Sequence, residues 1–176
     1  MNSGGSLHHH WKNSQNSWRT AVGMKRAIAE FMTERVNEDI EELNSFLRGE
    51  RSAVETYNQC IYKLDNAQIA KQLQTLKTSH LERVKRLTEE IAKRGGEPQT
   101  DSGVWGSFAK IIEGGASILG EKAALSVLVE GEDHGLNDYR DTMNDLSLEA
   151  RKLVAGYLLP EQMRTREALG TVKSSM

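Results

Sequence analysis

The sequence predicts an all-α fold, a four-helix bundle of two antiparallel hairpins joined by a short crossover helix. Three observations predict it. Leu43, Leu47, Glu50, Val54, Tyr57, Ile61 and Leu64 are spaced 4, 3, 4, 3, 4, 3, a heptad seam along one face of a helix. The motif Gly-Glu-x6-Tyr occurs twice, at Gly49-Glu50 to Tyr57 and at Gly131-Glu132 to Tyr139, 82 residues apart. At that offset Leu43 falls on Leu125, Phe46 on Leu128, Leu47 on Val129, Val54 on Leu136, Ile61 on Met143 and Leu64 on Leu146, so the chain reads as a duplicated helical hairpin. Prolines, which break helices, number only two, Pro98 and Pro160.

The first helix spans residues 34–64 and ends at the polar break Asp65-Asn66. The second spans 67–94, with Ile69, Leu73, Leu76, His80, Val84, Leu87 and Ile91 on one face. Lys93 and Arg94 in its last turn, then Gly95-Gly96 and Pro98, stop it. Asp101-Ser102 reads as the N-cap of a short helix over 102–113 that bears Trp105, Phe108, Ile111 and Ile112. Gly114-Gly115 and Gly120 then punctuate the chain. The third long helix spans 120–145, with Leu125, Leu128, Glu132, Leu136, Tyr139, Met143 and Leu146 inward. The fourth starts at about 148 and carries Leu153, Val154, Tyr157, Leu158 and Leu169. Pro160 removes one backbone donor and crowds the carbonyl of Gly156, which predicts a kink or a new helix start. Short connections make hairpins of the first and second and of the third and fourth helices. The long segment between the second and third can run the length of the bundle.

Composition narrows the function classes. With 23 Lys and Arg against 25 Asp and Glu the net charge is −2, so nothing points to nucleic acid, whose binding wants a basic face. No apolar stretch is long enough to span a bilayer, so a membrane partner is not expected. The single cysteine, Cys60, allows no intrachain disulfide, fits a reducing cytoplasmic setting, and reads as a packed thiol because no His or basic residue shares its face. Residues 1–23 are rich in Asn, Ser, Gly and His and have no apolar period. His8-His9-His10 reads as part of a tail in preference to a metal motif, and Met24 is a candidate start. The expected division is a disordered or appended tail over 1–30 and a bundle over 31–172. No Ser-His-Asp spacing, Cys-x-x-Cys pair, phosphate loop or nucleotide-binding glycine fingerprint is present.

Each repeat carries a glutamate inside an apolar stripe, where a carboxylate is costly unless something charged or hydrogen-bonding meets it. Glu50 lies about 15 residues before the first turn and His80 about 14 after it; at about 1.5 Å per residue they share one height. Glu132 lies about 14 residues before the second hairpin turn. Its level on the fourth helix holds Glu161 or Gln162, and the 82-residue offset pairs Gln162 with His80. Tyr57 and Tyr139 share a second level two turns away, as core residues whose hydroxyls need an acceptor. Gly49 and Gly131 read as points of close helix approach, while Glu55, Glu130 and His134 turn away from the stripes and read as surface groups.

These segments resemble a known family. Gly-Glu-Arg-Ser-Ala-Val-Glu-Thr-Tyr over 49–57 looks like the first helix of rubrerythrin-like and ferritin-like proteins, and Thr78-Ser79-His80-Leu81-Glu82-Arg83 looks like their second. The order Gly95-Gly96-Glu97-Pro98, Asp101-Ser102-Gly103-Val104-Trp105-Gly106 and Glu130-Gly131-Glu132-Asp133 is similar to an uncharacterised bacterial ferritin-like family, domain of unknown function 2383, over about residues 35–170. The resemblance implies iron or manganese at Glu50, His80 and Glu132, with Glu161 or Gln162 completing the shell, and a role in stress. It departs at Lys77 and Leu159, where the Glu-x-x-His pattern has carboxylates, and at Gln162, where it has histidine. A second reading therefore stands beside it: a metal-free bundle that acts as a homo-oligomer or partner-binding module, with the Lys77 ammonium in the layer in place of a metal charge.

Overall fold

The computed structural model describes residues 6–102 and 117–175, and all regular structure among them is helical. The predicted crossover helix with Trp105, Phe108, Ile111 and Ile112 lies outside the described residues. The helices are α1 (Ser6–Lys63), α2 (Ala67–Lys93), α3 (Ser117–Thr142), α4 (Leu148–Leu153) and α5 (Leu159–Ser174), with one π-helical turn (Val154–Leu158) between the last two. Among the described residues no helix is long and apolar enough to cross a membrane.

The chain divides into two compact units, Met1–Asn37 and Glu38–Met176. In the first, α1 begins at Ser6, well inside the stretch expected to be a tail. Strong helix formers such as Met24, Lys25, Arg26, Ala27 and Ala29 favour this, helped by the Arg26–Glu30 pair at 2.8 Å one turn apart. Every side chain from Trp18 to Glu34 is exposed.

The second unit has two apolar clusters. One contains Tyr57, Cys60, Leu73, Leu76, Leu125, Leu128 and Leu169. The other contains Leu43, Phe46, Leu47, Leu87, Ile91, Tyr139, Leu146, Val154 and Leu158. α1 meets the second cluster before the first; α2 and α3 run from first to second; α4 and α5 return. Each short connection thus reverses the chain, whereas α2 and α3 point the same way.

The helix ends are fixed by side chains. Asn66 caps α2 by accepting from the Gln68 and Ile69 amides at 3.0 and 3.2 Å. Gly95, at φ 82°, takes the left-handed conformation that ends α2, and the Gly96 amide reaches back to the Ile91 carbonyl. Gly120, at φ 77°, breaks the helical path inside α3 where the sequence predicted punctuation. Ser147 caps α4. Carboxylates from the opposite hairpin hold both turns. Glu121 accepts from the Asp65 and Asn66 amides at 3.0 Å, and Asp39 accepts from the Ser147 amide at 2.9 Å. Asp39 and Glu121 are themselves 82 residues apart, so the repeat extends to the turns.

The disturbance predicted at Pro160 is the π turn just ahead of it. Asn66 stands 14 residues before His80, whereas Ser147 stands 15 before Gln162. A π turn holds one residue more than an α turn and absorbs that difference, so Gln162 still faces the core.

Candidate functional site, a charged layer across the core

The two apolar clusters are separated by a layer of buried polar side chains: Glu50, His80, Arg83, Glu132, Gln162 and Thr165. α1 supplies Glu50, α2 supplies His80 and Arg83 one turn apart, α3 supplies Glu132, and α5 supplies Gln162 and Thr165. The imidazole stands between the carboxylates, Nδ1 at 2.7 Å from Glu50 Oε2 and Nε2 at 3.0 Å from Glu132 Oε1. Arg83, fully buried, donates from Nε to Glu50 Oε1 at 2.8 Å, from Nη1 to Ser79 Oγ at 3.0 Å and from Nη2 to Gln162 Oε1 at 2.9 Å. Gln162 Nε2 and Thr165 Oγ1 donate to Glu132 Oε2 at 2.8 and 2.9 Å.

The tyrosines close the layer reciprocally. Tyr57 donates to Glu132 at 2.5 Å and Tyr139 to Glu50 at 2.7 Å, so each repeat's phenol serves the other repeat's carboxylate. Beside them lies a cavity of about 60 Å³ between α1 and α3, whose lining falls into eight pairs at the 82-residue offset, from Phe46 with Leu128 to His80 with Gln162. Gly49 and Gly131 line this cavity, and a Cβ on either would meet nothing within 4 Å. They do not mark close helix approach as expected. That role falls to Gly135, where a Cβ would stand 3.1 Å from Gln162 Nε2.

Electrostatics bind the layer together. Burial raises the Glu50 carboxyl, but the Arg83 and His80 charges outweigh it and bring it down to about 2. Burial likewise raises Glu132, and His80 outweighs it, so this carboxyl too is lowered. Burial and Arg83 disfavour the His80 imidazolium, yet Glu132 and Glu50 together raise its pKa. Burial, then Glu132 and Glu50 respectively, push the Tyr57 and Tyr139 phenols well above their usual value, so both remain donors. With both ring nitrogens at hydrogen-bond distance from a carboxylate oxygen, a protonated His80 together with Arg83 balances the two carboxylates. Arg83 Nη2 also lies 2.6 Å from His80 Nδ1, so the guanidinium, the imidazole and the Glu50 carboxylate converge there.

Glu50, His80, Glu132 and Gln162 therefore meet. Glu161 does not join them; its carboxylate accepts from Ser79 and Arg164 at the edge of the layer. Lys77 is not the cation of the layer: its half-buried side chain bonds Asn58 at 2.7 Å. The cation is Arg83, which lies three residues after His80 where Lys77 lies three before it. Periodicity drew attention to Val84 and passed over Arg83. The available signal was the offset, which pairs Arg83 with Thr165 just as it pairs His80 with Gln162. Glu130 and His134 are exposed, as expected of surface groups. Cys60 is a packed thiol that burial pushes up to about 12.

The donor set does not fit iron or manganese. Imidazole nitrogens point to opposite sides of the ring, and each is already bonded to a different carboxylate. The Arg83 guanidinium, a fixed cation, also stands against Glu50. Among the described residues no three His, Cys, Asp or Glu side chains are grouped to hold a metal ion.

Fold and site together define an all-helical bundle from a duplicated hairpin, with a buried layer of charged and polar side chains at its centre. Residues 38–145 match the family described as Domain of unknown function (DUF2383), and the chain belongs to that family. The match takes in Glu50, His80, Arg83 and Glu132 and ends before Gln162 and Thr165. No curated protein and no solved structure matches the chain.

Proposed function

We propose that this chain is a ferritin-like bundle that works without a bound metal, as a cytoplasmic structural or partner-binding module rather than a redox enzyme. Arg83 carries this reading: its guanidinium brings to the layer the positive charge that a metal ion would otherwise bring, and it meets Glu50 through a charge-assisted bond. The helix directions and the reciprocal tyrosine–glutamate bonds support the ferritin-like arrangement. A buried, fully bonded layer of this kind fixes helix register, since a one-turn slip would strand charges in the apolar clusters.

One observation favours the rival reading of iron or manganese held by Glu50, His80 and Glu132 in a stress-related role: the cavity opens directly beside both carboxylates. The two readings part in a metal titration of the full chain with His8, His9 and His10 replaced by alanine. Iron and manganese content after purification, and calorimetric titration with Mn²⁺, should both be substoichiometric. Glu50→Gln should leave them unchanged. Lys77→Glu, which restores the family's carboxylate three residues before His80, should gain nothing because that side chain lies outside the layer. Stoichiometric metal that Glu50→Gln abolishes would overturn the proposal.

A further inference from the structure

The first unit carries a surface that the polar layer does not explain. α1 exposes Trp18 (73%), Val22, Met24, Ile28, Phe31 and Met32. At about 100° per residue these six fall within about half of the helix circumference. An exposed apolar face of this size marks a docking surface. We infer that residues 18–32 of α1 are the contact through which the chain associates with a second copy of itself, like face to like face.

Three observations select that occupant. From their fractional exposure, the six side chains present on the order of 700 Å² per copy, close to the ~800 Å² that each partner buries in a stable interface. Trp18, Val22, Lys25, Ala29 and Met32 are spaced 4, 3, 4, 3, the period of helix-on-helix packing, and Ala21, Met24, Ile28 and Phe31 form a parallel row beside them. The charges disfavour a lipid surface. The polar face mixes Arg19 and Arg26 with Glu30 and, just beyond the surface, Glu34, whereas a helix lying on anionic lipid has a polar face rich in Lys and Arg. Lys25 also interrupts the apolar face near its middle. In a helix pair, one polar seam residue of this kind fixes register at some cost in stability.

The surface lies outside the residues that carry the metal-free reading, so its test and the metal titration fail independently. Sedimentation of the full chain across the micromolar range should give a mass at least twice the single-chain 19.7 kDa. Ile28→Glu with Met32→Glu should return it to the single-chain mass with helicity unchanged. Should that pair lower helicity, a milder probe decides. On oxidation, Ala29→Cys in the seam should cross-link two copies, and Ala27→Cys on the opposite face should not. A wild-type chain that stays at single-chain mass, a mass insensitive to the double substitution, or equal cross-linking at both positions would overturn the inference. So would a monomer that pellets with phosphatidylserine vesicles, which would assign the face to lipid.

Discussion

Replacing Arg83 by methionine keeps an unbranched apolar stem, shorter than that of arginine, and removes the guanidinium from the layer. Glu50 then keeps His80 and Tyr139 as donors and loses the Nε–H bond at 2.8 Å. Its carboxyl is held at about 2 against an ordinary 4.5, which at about 1.36 kcal/mol per pH unit corresponds to on the order of 3 kcal/mol of stabilisation, with Arg83 the largest favourable contributor. Removing one partner of a buried ion pair costs about 3–5 kcal/mol, in the same range. Gln162 Oε1 and Ser79 Oγ lose a donor as well. Chemical denaturation at neutral pH, followed by circular dichroism, should show that loss. Adding Glu50→Gln to Arg83→Met should recover part of it, because the stranded charge is gone. A loss under about 1 kcal/mol would place the variant among ordinary surface substitutions and refute the reasoning.

Three further outcomes follow from the same geometry. Glu50 and Glu132 have lowered pKa values, so their contribution is present above the ordinary 4.5 and is lost as pH falls below it, for Glu50 through about 2. His80 has a raised pKa, so its contribution is full below 6.5 and is lost as pH rises through its folded value. Stability measured against pH should therefore peak between those ordinary values, and a flat profile would contradict it. Tyr57→Phe and Tyr139→Phe each remove one donor to a buried carboxylate; both should cost about 1.5–3 kcal/mol by denaturant titration, and a large inequality would break the reciprocity of the two repeats. Deleting Ala155 should turn the π turn into an α turn and keep helicity and cooperative unfolding, whereas deleting Gln74 from the regular part of α2 should rotate His80 and Arg83 out of the layer and abolish cooperative unfolding.

Much of the fold was legible because its signals are local. The heptad seam, the Asn66 break, the Gly95-Gly96 stop and the repeat located the helices, and counting residues from the turns put Glu50, His80 and Glu132 at one height. Arg83 escaped because burial of an arginine depends on a counter-charge from another helix, and periodicity cannot weigh that. Lys77 and Arg83 are equally distant from His80 in sequence. Which of them enters the core is decided by partners, Asn58 outside and Glu50 inside. The π turn escaped because nothing in residues 154–158 announces an extra residue; it emerges only when the two hairpins are compared. The start of α1 escaped because the side chains of residues 18–34 are exposed, so no buried stripe marks them.

The central claim is that Arg83 and a protonated His80 neutralise the two carboxylates and leave no place for a metal. Its most direct test follows the His80 ring nitrogens by ¹⁵N NMR in the full chain during titration with Mn²⁺. Both nitrogens should be protonated below pH 6.5, and their resonances should survive a stoichiometric amount of the paramagnetic ion. A neutral ring, or selective broadening of His80 by Mn²⁺, would contradict the account.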